Sequence, residues 1–171
     1  MRNLLAAAVA IAPLMAATGV QAEVVINTAR STPIETANAT GSAADSIRIA
    51  SSGAINVTSG TAVTVNTNHG LDIDSGGSVS MLNAADGSTA ILVNSANPGA
   101  IIIGGTVVVR DNLDSYPDTD NDGDIDGPWA TGTGRYGLRI ASPGAVTANL
   151  SVEAGGTISV EGNNSYAVSI E

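Results

Sequence analysis

The chain has no cysteine, no phenylalanine and no lysine among its 171 residues, and it has only one histidine and one tryptophan. Without cysteine there is no disulfide, no thiolate metal site and no cysteine nucleophile, which suits an exported protein that avoids oxidative mispairing. A packed globule of this size normally relies on aromatic side chains for core area. Here Val, Ile, Leu and Ala must supply that area, which favours a narrow core between small sheets.

Positive charge is also scarce, because six arginines face sixteen acidic residues and the net charge is −10. A nucleic-acid-binding protein normally carries a basic patch, so the balance argues against nucleic acid as a partner. It argues equally against attachment to an anionic membrane surface. Cations and neutral polar surfaces remain possible ligands.

The N-terminus has the order of features found in a secretory signal. Arg2 is followed by an apolar run over residues 4–14, and Val20 and Ala22 place small side chains at a cleavage site. The run is too short to span a bilayer. The alternative, a buried N-terminal helix, does not explain this order of features. We therefore predict a signal peptide over residues 1–22 and a mature domain over residues 23–171.

Short apolar–polar–apolar triplets recur after residue 22, and no segment there has a convincing helical period. This alternation predicts half-buried strands of three to five residues, separated by turns rich in Gly and Asn. The triplets are 47–49, 63–65, 71–73, 79–81, 138–140, 158–160 and 168–170.

These strands repeat in phase. A glycine precedes a strand at 53, 77, 105 and 156, and a small residue precedes an apolar-x-apolar strand at 62, 90, 137 and 167. Each series has one long step, and both long steps span the same acidic insertion, residues 111–133. Without the insertion every step falls in the range of 20–50 residues that is typical of solenoids.

Stacked repeats would place like residues above like and enclose a thin aliphatic core. We therefore predict an all-β fold, a right-handed parallel β-helix of about five coils with one long acidic loop, in which the glycines before the strands permit sharp corners. The competing architecture is an antiparallel sandwich, which does not require in-phase repeats.

The signal peptide, the Gly-Gly-x-apolar-x-apolar strands (103–109 and 154–160, for example) and the Ser/Thr/Asn-rich turns together resemble the N-terminal passenger region of bacterial autotransporters. The resemblance covers nearly all of the mature chain but includes no single diagnostic motif. It implies a right-handed β-helix carried outward by a C-terminal translocator barrel. The chain contains no barrel-like segment and ends on an apolar strand at Glu171, so we expect it to be the first part of a longer protein, or else a free secreted solenoid.

The insertion contains the sequence DTDNDGDIDG over residues 118–127, which begins like a D-x-D-x-D-G calcium loop. It resembles the calcium loops of dockerins and of thrombospondin type 3 repeats. That resemblance implies side-chain ligands from Asp118, Asp120 and Asp122, a backbone carbonyl from Asp124, and Asp126 as a direct or water-mediated ligand. The bidentate Glu of an EF-hand is replaced by Trp129, and Asp111 or Asp114 would supply further oxygens if the loop folds back. The alternative is a solvated acidic loop.

Other polar residues carry weaker signals. Arg135 and Arg139 share strand parity, so we expect both to face outward and to balance the acidic charge or bind an external anion or glycan. Trp129 is expected to cap the insertion, and the lone histidine, His69, is expected to be a surface residue. Asp72 and Asp74 resemble the paired carboxylates of glycan-cleaving solenoid enzymes, but a solvated face explains them better, because they flank apolar positions and no aromatic platform lies near.

The first functional hypothesis is a non-enzymatic surface module, an adhesive or structural passenger segment with a calcium-ordered loop, whose partner is a surface glycan or protein. It would be exported from a Gram-negative bacterium to the cell surface or outer membrane, or secreted, with no membrane insertion of this segment. The second is an exported polysaccharide lyase or hydrolase. A lyase usually needs a basic residue near calcium, and this chain has no lysine. A secreted matrix protein is a third possibility.

Overall fold

The computed structural model describes residues 23–111, 118–124, 126 and 131–171. The predicted signal peptide lies outside the described residues and stays a prediction. Within them there are fifteen short strands and one 3-10 turn at Thr36–Asn38. The strands are β1 Glu23–Ile26, β2 Ala29–Arg30, β3 Ile34–Glu35, β4 Ser46–Ile49, β5 Ala54–Asn56, β6 Thr61–Val65, β7 Leu71–Ile73, β8 Ser78–Leu82, β9 Thr89–Val93, β10 Ile101–Ile103, β11 Thr106–Arg110, β12 Tyr136–Ile140, β13 Leu150–Val152, β14 Thr157–Val160 and β15 Tyr166–Ile170.

Every third strand along the chain joins the same sheet. Sheet A has the order β1-β4-β7-β10-β13, sheet B the order β2-β5-β8-β11-β14, and sheet C the order β3-β6-β9-β12-β15. All strand pairs are parallel. Three successive strands therefore make one coil, and five coils, numbered 1 to 5 from the N-terminus, stack into a solenoid. The predicted parallel β-helix is confirmed, and the antiparallel sandwich is wrong.

The register of the sheets places like residues above like. In sheet A, Ile49 pairs with Ile73 and Ile73 with Ile103, and all three side chains are fully buried. In sheet C, Ile91 pairs with Val63 below and Leu138 above, again with no exposed surface. The core of the described residues contains only Ile, Val, Leu, Ala and one Met. Such columns need no large aromatic side chains, because the sheets lie close together.

The four glycines that reveal the repeat lie at the corner between sheets A and B, just before β5, β8, β11 and β14. A Cβ atom at Gly53 would overlap the carbonyl oxygen of Ile26, and one at Gly156 would overlap that of Ile103. None of the four has a positive φ, whereas the neighbouring Gly76 does, at +90°. Their role is therefore close approach of one coil to the coil below, more than the sharp turn expected from the sequence.

The part of the chain that the structure describes contains no helix long and apolar enough to cross a membrane.

Candidate functional site: the acidic insertion

The acidic insertion leaves the solenoid in coil 4. The connection between β11 and β12 runs from residue 111 to residue 135, whereas the equivalent connection in coil 3 spans only residues 83–88. The described part of this connection comprises residues 111, 118–124, 126 and 131–135. The insertion is therefore a lateral loop at the corner between sheets B and C, and it leaves the stacking of coil 4 on coil 3 intact.

Three of the five predicted calcium ligands come together in this loop. One side-chain oxygen from each of Asp118, Asp120 and Asp126 lies within 4.8 Å of the other two. Hard cations such as Ca²⁺ and Mg²⁺ prefer oxygen ligands, and one ion can bridge carboxylates at this spacing. These three residues are thus placed to hold a metal ion.

The backbone between the carboxylates turns tightly around them. Gly123 and Asn121 adopt positive φ values of +92° and +59°. The amide of Gly123 donates to Oδ2 of Asp118 at 3.1 Å, and the amide of Asp122 donates to Oδ1 of Asp120 at 3.3 Å. Glycine accepts this conformation without strain, which is the role that the sequence pattern predicts for Gly123.

Asp126 closes the triad from the far side of the loop. Its Oδ2 accepts hydrogen bonds from the backbone amide of Thr119 at 2.7 Å and from the Thr119 hydroxyl. The Thr119 hydroxyl, and then its amide, lower the pKa of Asp126 below the usual value. Asp126 is therefore ionised at neutral pH, and its carboxylate adds a negative charge that favours a cation.

The remaining two predicted ligands lie outside the triad. Oδ1 of Asp122 accepts a hydrogen bond from the amide of Asp124 at 2.9 Å, so this carboxylate supports the turn. Asp124 is exposed, and its predicted contribution was a backbone carbonyl, not a carboxylate. Ile125, the expected anchor of the loop, Trp129, its expected cap, and Asp114 lie outside the described residues.

The two ends of the insertion are held together by a buried ion pair. The guanidinium of Arg135 pairs with Oδ1 of Asp111, and their side chains are only 4% and 9% exposed. Oδ2 of Asp111 accepts hydrogen bonds from the amides of Thr131 at 2.9 Å and Gly132 at 3.1 Å. Asp111 therefore joins the outgoing and returning chain and is not free to bind the ion, contrary to one expectation from the sequence. We call Asp111 and Arg135 the base clamp.

The base clamp also touches the coils on either side. Arg135 donates to the carbonyl oxygen of Ala84 in coil 3 and, at 3.2 Å, to that of Glu161 in coil 5. Its Nε is buried and has no hydrogen-bond partner among the described residues. The prediction that Arg135 faces outward is wrong. Arg135 lies just before β12, outside the strand, and its side chain is buried by contacts with residues of coils 3, 4 and 5.

Arg139 behaves as the sequence predicts. It makes two hydrogen bonds of 2.8 Å to the carboxylate of Glu171, and both side chains are about one-third or more exposed. Its guanidinium lies 4.6 Å from the centre of the Tyr136 ring, which stacks on Tyr166 at 5.8 Å. This is charge balance within the molecule, on the outer face of sheet C.

The paired carboxylates of sheet A, Asp72 and Asp74, are partly neutralised by an arginine. Arg48 binds both oxygens of Asp74, with contacts from 2.9 to 3.2 Å. Burial raises the pKa of Asp72, and the neighbouring charge of Asp74 adds to the increase. His69 is half-buried in the turn before β7, so it is less exposed than expected, and its buried Nδ1 has no hydrogen-bond partner among the described residues. The raised pKa gives Asp72 the character of a general acid.

No family model, curated protein or solved structure matches this chain. The likeness to autotransporter passengers therefore rests on the sequence pattern, to which the structure adds a parallel solenoid.

Proposed function

We propose that this chain is an exported, non-enzymatic surface module, an adhesive or structural segment like an autotransporter passenger, with a loop that calcium orders. The observation that carries the proposal is the Asp118–Asp120–Asp126 triad on a lateral loop of a regular solenoid. A stack of five coils supplies a stiff support, and the loop supplies a distinct surface beside it. A surface glycan or protein is the expected partner.

Calcium fits the loop better than other common ions. The ligands are carboxylates, and the triad has no His and the chain no Cys, so the loop lacks the nitrogen and sulfur ligands that softer transition metals prefer. Ca²⁺ takes six to eight oxygens in flexible geometry, and Asp122 and the carbonyl of Asp124 are adjacent sources of more. We expect an affinity typical of extracellular modules, with a dissociation constant of about 10⁻⁴–10⁻³ M.

A structural role for the ion follows from its position. The carboxylates repel each other without a cation, so an ion that binds them stabilises the turn that Asn121 and Gly123 make. Two of the three arginines nearest the loop in sequence already have acidic partners, since Arg135 is buried with Asp111 and Arg139 is paired with Glu171, while Arg110 is exposed at the end of β11.

The alternative is a secreted β-helix polysaccharide lyase or hydrolase, and one observation favours it. Asp72 has a raised pKa beside the carboxylate Asp74, an arrangement that can serve general acid catalysis. The hydrogen bonds from Arg48 to Asp74 point instead to charge balance. Incubation with acidic and neutral polysaccharides, with and without calcium, separates the two proposals. The module leaves the polymers intact, whereas new reducing ends or unsaturated products that disappear in Asp72→Asn would establish the enzyme.

Calcium binding is tested by thermal unfolding of the chain purified after export. At 10 mM Ca²⁺ and a dissociation constant of about 10⁻³ M, binding adds about 1.4 kcal/mol, which raises Tm by about 3–6 °C over EGTA. Asp120→Asn with Asp126→Asn should abolish this shift. Glu23→Gln, which removes a similar charge from coil 1, should keep it. A calcium shift that survives the double substitution would place the ion elsewhere, and no shift in the natural sequence would remove calcium from the proposal.

A further inference from the structure

The outer face of sheet A carries a groove that crosses coils 1 to 4. It encloses about 270 Å³ and is lined by the first residues of β1, β4, β7 and β10 and by the turns that precede β7 and β10. The side chains that line it include Glu23, Ser46, Asn68, Asp72, Ala100 and Ile102. We call it the sheet A groove, and it combines acidic, amide, hydroxyl and aliphatic groups in one recess.

The floor of the sheet A groove is backbone, because glycines bring coils 3 and 4 close together at this corner. A Cβ atom at Gly70 would overlap the carbonyl oxygen of Ala100, and one at Gly99 would overlap the amide nitrogen of Gly70. The amide of Leu71 donates to the carbonyl of Ala100 at 3.0 Å, and the amide of Gly99 donates to that of His69 at 3.1 Å. The recess therefore lies where the fold itself requires the smallest side chains.

The charge around the sheet A groove is negative. Arg48 pairs in register with Asp72, but its guanidinium binds both oxygens of Asp74 and lies 4.0 Å from the carboxylate of Glu23. Burial raises the pKa of Asp72, and the charge of Asp74 adds to the increase. Three carboxylates thus share one guanidinium, and the groove offers unmatched negative charge to a cation.

The opposite wall of the groove is aliphatic. Ile102 occupies an outward position on β10 and is half-buried, and Ala100 lies exposed beside it. No aromatic side chain is among the described residues that line the groove, so a sugar ring would have no flat ring to stack on. An ammonium group on a flexible aliphatic stem matches both walls, because its methylenes can cover apolar surface while its head donates three hydrogen bonds.

We propose that the sheet A groove binds a lysine side chain of a protein partner, with the ammonium at the carboxylates of Glu23 and Asp72 and the stem against Ile102 and Ala100. The inference rests on the proposed function as a surface module and names the chemistry of its partner. A chain with a net charge of −10 is complementary to a basic protein surface, which would also speed the encounter.

Lysine fits the groove better than the other cationic groups of biological polymers. The planar guanidinium of arginine matches a single carboxylate through two parallel hydrogen bonds, whereas Glu23 and Asp72 come from different strands. A compact ammonium with rotatable donors can reach carboxylates that approach from two directions. An amino sugar also carries an ammonium, but on a rigid ring without a long aliphatic stem for Ile102 to contact.

Two-dimensional amide NMR spectra of the isotope-labelled chain purified after export test the binding. The probe is the peptide acetyl-Gly-Lys-Gly-amide, added in EGTA so that calcium in the acidic loop plays no part. We expect saturable shifts centred on the amides of Leu71, Asp72 and Ala100, with a dissociation constant of about 10⁻³ M. The same peptide with norleucine in place of lysine keeps the stem and lacks the charge, so it should bind at least about tenfold more weakly.

Two variants separate a shaped groove from general acidic attraction. Asp72→Asn should weaken binding of the lysine peptide about tenfold. Asp86→Asn, the same change on an exposed aspartate of coil 3 at the corner between sheets B and C, should leave it unchanged. Ala100→Leu fills the recess and keeps every carboxylate, so it should abolish the shifts. Circular dichroism verifies that each variant keeps the β-fold.

Three results would overturn the proposal. The first is equal binding of the lysine and norleucine peptides, or no shift with either. The second is full binding by Ala100→Leu, which would assign the attraction to diffuse surface charge. The third is a set of shifts at the groove with glucosamine and none with the lysine peptide, which would make the ligand a glycan. The calcium-dependent change in Tm tests the surface module separately, so either proposal can fail alone.

Discussion

Replacing Asp111 by Asn should destabilise the solenoid far more than its place at the root of a surface loop suggests. The substitution leaves the Arg135 guanidinium buried, with carbonyl oxygens as its remaining partners. Breaking one half of a buried ion pair costs about 3–5 kcal/mol, because an uncompensated charge stays out of water. For a domain of about 150 residues this corresponds to a fall in Tm of about 6–20 °C.

The matched control is Glu171→Gln, which makes the same acid-to-amide change at the exposed pair between Arg139 of coil 4 and Glu171, the residue after β15 of coil 5. Those side chains are 34% and 40% exposed. Exposed pairs contribute about 0–1 kcal/mol, so Tm should fall by at most about 4 °C. Urea and thermal unfolding of the two variants measure the difference. Equal small losses would refute the claim that the base clamp joins coils 3, 4 and 5.

The pair of Asp111 and Arg135 also predicts the direction in which the unfolding free energy changes at low pH. Burial by itself raises the pKa of Asp111, but hydrogen bonds from the amides of Thr131 and Gly132 and from Arg135 outweigh it, so the pKa lies below the usual value. A lowered folded pKa stabilises the protein above the unfolded value of about 3.9, and this stability is lost as pH falls through the folded pKa. The difference in unfolding free energy between the natural chain and Asp111→Asn should therefore shrink below about pH 3.9.

Two further predictions concern the solenoid itself. Gly105→Ala should cost about 1–3 kcal/mol, since the new Cβ overlaps the carbonyl of Gly77, while Gly144→Ala, whose nearest atom is 3.8 Å away, should change the unfolding free energy little. Ile103→Ala, at a fully buried site, should cost about 2–5 kcal/mol by urea titration, whereas Val25→Ala, at a 49% exposed site, should cost much less.

The stacked coils could be predicted from the sequence because every coil after the first repeats the same signals. Gly53, Gly77, Gly105 and Gly156 mark one corner four times, and the strands that follow them pair in register. Coil 1 lacks that glycine, and its second and third strands are only two residues long, so it gives no repeat signal. Arg30 pairs there in register with Ile55, and the Thr36 hydroxyl accepts hydrogen bonds from Asn66 and Thr67, so polar residues replace the apolar repeat in coil 1.

The candidate site was only half visible in the sequence. Alternating aspartates and Gly123 indicate the loop, since its contacts are local and follow from spacing. The base clamp joins two residues 24 positions apart, and the spacing of residues in the sequence does not indicate that the ends of the insertion meet. Parity predicted an outward Arg135, but parity describes side chains within a strand, and Arg135 lies one residue before β12. No signal in one sequence distinguishes a buried arginine in a corner from an exposed one.

The base clamp explains how a short solenoid tolerates so long an excursion. Lengthening the connection from six residues in coil 3 to 25 in coil 4 raises the entropic cost of loop closure by about 1.3 kcal/mol. That cost is small beside the penalty of breaking the buried pair of Asp111 and Arg135. Asp111, the first residue of the insertion, accepts hydrogen bonds from the amides of Thr131 and Gly132, so the two ends of the insertion lie together. The connection between β11 and β12 therefore acts as a short corner within coil 4. The sequence between the two ends is then free to specialise for a ligand without disturbing the stack.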